Sequence, residues 1–350
     1  MASDKPSTEI IPFAKATEIK RLDANTYQAN LVDSFCIGAV PNGGYVASCI
    51  LQAAILHGSS RSSSNPQPHV MNAHFEYLNR TEVGPATIII EDIKPGRQLT
   101  TLHATLYQGG GGDTTSDLQT TRGKKRRVTA YLVMTNLSSL AGITLDTQFT
   151  LIPPPLLPPG AGNPDFSLLK QNKDPHWTAI PLPPGFSYIR ALQNTKFYIP
   201  RAGQVRKSII DLWICLSSGE KVTNATLGYV SDCWPYVVEA YRPRTEEESK
   251  MEGAQPFRHD ARHWYPTVVM NVEQKKAAPE GGPDGDGGWE WLRMRVSSKE
   301  VRGGRFDLEV LMMDEKGELV VVSNHVGLVL GSERNLAGRG KGGMKGQSRI

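Results

Sequence analysis

One order of elements, a strand, then a buried helix, then four strands, runs through this chain twice, and that duplication constrains its fold more than any other feature. In the first pass "TYQANLV" (26–32) alternates like a strand. "PNGGYVASCILQAAILHG" (41–58) then opens on Pro and Asn, stays small and apolar, and closes on Gly, as a buried helix does. Four strand-like runs follow at 68–78, 86–94, 98–108 and 127–137; "PGR" is a hairpin signal between the second and third, and "GGGGDTTSDLQTTRGKK" reads as a long exposed hairpin tip. In the second pass a strand at 208–216 leads into a helix at about 222–241, followed by strands at 266–274, 289–301, 305–314 and 318–330. Gly44-Tyr45-Val46 matches Gly228-Tyr229-Val230 on the two helices, and Val70-Met71-Asn72 matches Val269-Met270-Asn271 on the strands after them. Such short matches gain weight by falling in register within one repeated plan. The expected organisation is a flexible lead (1–20), a first module (21–138), a Pro-, Leu- and Gly-rich linker or surface strap (139–185), a second module (186–332) and a basic, Gly-rich tail (333–350).

Composition narrows the function classes. With 350 residues, 39% hydrophobic, 21% charged and a net charge of +4, the chain has an ordinary globular balance. Much of the positive excess sits in "TRGKKRR" (121–127) and in the tail, so nucleic-acid binding is not implied. The N-terminus lacks the charged-then-apolar pattern of a signal peptide and no run approaches membrane-spanning length, which reads as an intracellular soluble chain. Cys36, Cys49, Cys215 and Cys233 form no CxxC and read as reduced core thiols. There is no GxSxG, P-loop or dinucleotide fingerprint. His259, Asp260, His263 and Glu239 lack a metal-ligand spacing, and neither a metal nor another cofactor is expected.

One acid stands out. "LGYVSDCWPY" (227–236) sets Asp232 among Val230, Cys233 and Trp234, where an unpaired charge would be costly. Such a carboxylate is satisfied structurally, as a cap, or is used.

"PNGGYVASCILQAA" with "HVMNAHFEYLNRTEVGPATIIIEDIKPGRQLTTLHATLYQ" resembles the first half of thioesterase-like, double-hotdog proteins related to the acyl-CoA thioesterase II family. The stretch from "GYVSD" through "GELVVVSNHVGLVL" resembles their catalytic half, and the likeness spans roughly residues 20–332. It implies an α+β tandem hotdog, two antiparallel sheets each wrapping a central helix. It also implies a catalytic water held by an Asp, a Thr or Ser, and a Gln, which fall on Asp232, Thr267 and His325. His325 is a departure, since histidine exchanges protons near neutral pH and glutamine does not.

The implied activity is hydrolysis of an acyl thioester by an Asp-activated water, the thiol being coenzyme A or a carrier protein. Two alternatives stand beside it. One is a lyase or isomerase using the Asp232/His325 pair on a polyketide-like or acyl-thioester intermediate; the other is a non-catalytic acyl-ligand binder. Asn42, Gly43 and Gly44 open a helix whose amides suit a carbonyl oxygen or a phosphate, Tyr229 and Trp234 are expected to wall the site, and "TRGKKRR" is a candidate for coenzyme A phosphates. No membrane partner is expected, and self-association is left open. Ser348-Arg349-Ile350 resembles a variant of the Ser-Lys-Leu peroxisomal address, which sets peroxisome against cytosol.

Overall fold

Most strands of both modules alternate buried and more exposed residues, and both modules lay the buried face against a helix. The computed structural model describes residues 10–60, 66–109, 123–181, 188–250, 257–281 and 287–336. The expected hairpin tip falls mostly outside these residues, as does the tail with Ser348-Arg349-Ile350. The longer elements of the first module are β1 (Thr26–Leu31), α1 (Gly43–Ser60), β2 (His69–Tyr77), β3 (Gly84–Lys94), β4 (Thr100–Gln108) and β5 (Lys125–Thr135). Those of the second are β6 (Thr195–Pro200), β7 (Ile209–Leu216), α2 (Leu227–Ser231), β8 (Thr267–Gln274), β9 (Leu292–Ser297), β10 (Arg305–Met313) and β11 (Leu319–Leu328).

The two expected sheets join edge to edge, so that all of these strands form one continuous antiparallel sheet in the order β1-β3-β4-β5-β2-β8-β11-β10-β9-β7-β6. The second module thus repeats the first in reverse across the β2–β8 seam. The Val-Met-Asn match makes Ala73 the counterpart of Val272, and these two residues pair directly, which places a pseudo-twofold axis at that point. The Gly-Tyr-Val match meets at the helices. A β-carbon on Gly44 would lie 2.5 Å from the Gly228 carbonyl oxygen, and one on Gly228 would lie 3.0 Å from the Ser48 amide nitrogen. Glycine is required there because the two helices touch backbone to backbone. The repeat, the antiparallel sheet and the helices together make an α+β double hotdog.

Three expectations change. The helix foreseen at about 222–241 is cut: α2 ends at Ser231, and a 3₁₀ stretch, Pro235–Tyr241, follows. Pro235 is the cause. The residue before a proline is driven out of the α region, and Trp234 sits at φ −131°, ψ 67°. Next, β6 was not foreseen, although it flanks β7. Finally, the linker holds a short helix, Phe166–Lys170, capped by Asp165, and a strand, Trp177–Ala179, that pairs with β6.

That linker explains why β7, "IIDLWICL", is apolar on both faces. Ile210, Leu212, Ile214 and Leu216 join the central core. Trp213 and Cys215 join a separate cluster with Leu169, Trp177, Tyr198 and Trp291 on the opposite face. A strand covered on both sides loses the polar alternation of a one-sided sheet. Buried Arg295 grips buried Asp211 through two bonds of 2.9 and 2.8 Å and donates to the Pro153 carbonyl at 2.7 Å, fastening the strap to that outer face.

Candidate active site

The cut in the second helix leaves Asp232 at the end of α2, against the start of α1. The first turn of any helix carries amides without intrahelical acceptors and a partial positive charge. Asn42 caps this one conventionally, its Oδ1 accepting from the Tyr45 amide at 2.9 Å. The Gly44 amide is taken instead by Asp232 Oδ2, at 2.7 Å, and Asn42 Nδ2 donates to the same oxygen at 3.1 Å. Thr267, at the start of β8 beside a bulge, donates to Asp232 Oδ1 at 2.7 Å. Three donors from two modules thus hold a carboxylate that is only 5% exposed, which is how a buried charge is accommodated.

Asp232 lines a cavity of about 340 Å³ between the modules, together with Asn42, Gly43, Tyr77 and Thr267. The Tyr77 hydroxyl donates to the Gly43 carbonyl at 2.9 Å. Burial, and then the negative Asp232, push this phenol well above the ordinary tyrosine range, so it remains a proton donor.

His325 lies behind Asp232 rather than in the cavity wall. Its Nδ1 is 3.6 Å from Asp232 Oδ1, and its side chain is fully buried. Ser323, two residues earlier on β11, assigns the tautomer. The Ser323 hydroxyl has one proton and donates it to the Asn271 carbonyl at 2.5 Å. Its 2.9 Å contact with His325 Nε2 must then be accepted from an Nε2–H. In the neutral ring this leaves a lone pair on Nδ1, which has no hydrogen-bond partner among the described residues and faces Asp232. A proton between the two groups would pair them.

Asp232, Thr267, Asn42, Gly43 and Gly44 therefore come together, with His325 adjacent. Tyr229 and Trp234 do not wall the cavity. The Tyr229 hydroxyl donates to the Ala191 carbonyl at 2.6 Å and accepts from Thr195 at 3.1 Å, deep in the core. Tyr45, its counterpart in the repeat, likewise donates to the Ala16 carbonyl at 2.7 Å. Both are internal braces. The Trp234 ring packs instead on Phe197 and Tyr236. In "TRGKKRR", Arg127 is buried and bonded to Glu82 and to the Arg80 carbonyl, not displayed on a loop. Of His259, Asp260, His263 and Glu239, Glu239 and His263 are joined through the Arg242 guanidinium. Ser323 and Tyr77 were missed. Their signals were spacing, Ser323 sharing a strand face with His325 at i−2, and the position of Tyr77 at the end of a buried strand.

Comparison with known proteins agrees with the double-hotdog fold. Residues 31–132 match the family model for the acyl-CoA thioesterase N-terminal domain, and residues 163–329 match that for the C-terminal domain. The chain is 41% identical over 351 residues to the thioesterase-like protein TwmA of Talaromyces wortmannii, covering 96% of this chain and 97% of that protein. Among solved structures, a putative thioesterase II from Thermobifida fusca superimposes with a TM-score of 0.60 at 22% identity, covering 92% of this chain and 99% of that one. A hot dog fold protein of unknown function from Alicyclobacillus acidocaldarius gives 0.58 at 14% identity, covering 91% and 97%.

Proposed function

Because the chain belongs to the acyl-CoA thioesterase family of double-hotdog proteins, we propose that it hydrolyses an acyl thioester with a water activated by Asp232. The observation that carries this reading is the Asp232 carboxylate itself, buried, held by donors from both modules and open to a cavity between them. Thr267 gives its proton to Asp232 and keeps its oxygen lone pairs for a water. That water adds to the thioester carbonyl carbon while Asp232 takes its proton, and the Nδ1 lone pair of His325 is placed to share it. Gly43, first residue of α1 and part of the cavity wall, offers its amide to the developing oxyanion. The C–S bond then breaks, the proton passes to the leaving sulfur, and the products are a carboxylic acid and a free thiol.

The burial of His325 weighs for hydrolysis over the lyase or isomerase reading, in which the imidazole must reach a substrate carbon. The test is thiol release from acyl-CoAs of short, long and branched chains, by the protein and by Asp232→Asn. We expect the substitution to lower kcat/KM by about 10³-fold or more in a protein that remains folded. A variant with near-normal turnover would remove Asp232 from the chemistry. Absence of release with every substrate, together with a product lighter by one water, would favour the lyase reading.

A further inference from the structure

The Tyr77 phenol is bonded to the same peptide unit that holds the Asp232 carboxylate. Its hydroxyl donates to the Gly43 carbonyl at 2.9 Å, and the Gly44 amide, the other end of that peptide, donates to Asp232 Oδ2 at 2.7 Å. We propose that Tyr77 is a positioning residue for the Asp232 base, acting through the Gly43–Gly44 peptide and not on the substrate. The proposal rests on the thioesterase reading for what the base does, and on these hydrogen bonds for the relay itself.

A peptide polarised at its oxygen is a stronger donor at its nitrogen, and chained hydrogen bonds of this kind strengthen one another by about 10–30%. The Tyr77 bond is an addition to what the helix needs. Gly43 is the first residue of α1, so one lone pair of its carbonyl serves the helix ladder and the phenol takes the other. Burial and the neighbouring charge of Asp232 keep the phenol protonated, and hence a donor. A β-carbon on Gly43 would lie 3.1 Å from Asp232 Oδ2 and 3.2 Å from Tyr77 Cε1, so the carboxylate and the ring both crowd the space that a side chain there would take.

The relay decides which carboxylate oxygen acts as the base. Asp232 Oδ2 is held by the Gly44 amide and by Asn42 Nδ2, both at the start of α1. Among the described residues Oδ1 accepts from the Thr267 hydroxyl alone, and it faces His325 Nδ1 at 3.6 Å. With Oδ2 locked, the carboxylate does not turn, and Oδ1 stays beside Thr267, the residue that holds the water. The repeat argues against a mere packing role. The register that matches Val70-Met71-Asn72 with Val269-Met270-Asn271 makes Lys276 the counterpart of Tyr77, and Lys276 is paired with Asp314 at 2.7 Å and with Glu318. The second module forms this corner without a phenol; the phenol occurs in the module whose helix start holds Asp232.

The experiment compares wild type, Tyr77→Phe, Asp232→Asn and the double variant. Both kcat and KM are measured for one acyl-CoA, and the Gly44 amide proton shift is read in protein labelled with ¹³C-carbonyl and ¹⁵N glycine, which selects Gly–Gly pairs. We expect Tyr77→Phe to lower kcat by about tenfold with KM little changed, to move the Gly44 amide upfield, and to cause no further loss of kcat in the Asp232→Asn background. Replacing Tyr77 by 3-fluorotyrosine, a stronger donor of nearly the same shape, should move the amide downfield, which tests the relay even where Tyr77→Phe folds poorly. A rise in KM at unchanged kcat would make Tyr77 a wall of the substrate pocket and overturn the proposal. An unmoved Gly44 amide, or an equal loss of kcat in both backgrounds, would overturn it too. The amide shifts need no substrate. Shifts as expected without turnover of any acyl thioester would uphold the relay while removing the thioesterase reading; turnover that depends on Asp232 but not on Tyr77 would do the reverse.

Discussion

The first module keeps its central helix whole, 18 residues from Gly43 to Ser60, and the second cuts the same helix after five, at Ser231. The first leaves the outer face of its sheet open, with Tyr131 half exposed, while the second covers that face with the strap and a tryptophan cluster. Neither module holds the site alone. The cut helix presents a carboxylate at its C-terminal end, where the backbone already carries partial negative charge, and the intact helix offsets that charge with its N-terminal amides. A duplicated fold thus builds one site from unlike ends of like helices.

The strap is the largest difference between the modules, and breaking it should produce the largest effect on stability. Asp211→Asn removes one partner of a buried ion pair and leaves Arg295 charged and uncompensated. The expected cost is about 3–5 kcal/mol in urea unfolding, with proteolysis starting in residues 139–165 and turnover per folded molecule maintained. A loss below about 1 kcal/mol would mean the strap is held by the tryptophan cluster and not by Arg295.

The helix contact comes next. An alanine methyl at Gly44 would sit 2.5 Å from both the Gly228 carbonyl and Asp232 Cβ. Gly44→Ala should cost about 1–3 kcal/mol as an overpacked contact and lower kcat/KM by shifting the amide that holds Asp232. Gly142→Ala, where a methyl meets nothing within 4 Å, is the control and should change neither. Unchanged activity in a destabilised Gly44→Ala would separate the helix contact from the site.

The duplication was legible in the sequence because it is written locally. Alternation marks the strands, the Val-Met-Asn match falls on β2 and β8, and the glycine of each Gly-Tyr-Val falls where the helices meet. The cut at Asp232 was also written locally, in Pro235, but the apolar run around it reads equally as continuous helix. β6, "TKFYIP", ends on a proline and sits at the border of the linker, where strand signals are weakest. Asp232 was conspicuous as a lone acid, and Thr267 and His325 were found through resemblance. Their partners were not legible. The Asn42 and Gly44 bonds to Asp232 span 190 and 188 residues, and a contact of that range depends on how the two modules meet.

Ser323 offers the smallest and most specific test of the unlike ends, since its role differs from that of an ordinary core residue. If its hydroxyl fixes the proton of His325 on Nε2, Ser323→Ala removes that acceptor and lets the ring populate the other tautomer. The ¹⁵N shifts of the His325 ring should then move from the Nε2–H pattern towards a mixture, and kcat should fall by about tenfold with KM little changed. Ser323→Thr keeps a hydroxyl and should restore the tautomer wherever it is accommodated. A merely structural serine would lower stability and leave the ring shifts alone, in which case the Ser323 hydroxyl does not set the tautomer of His325.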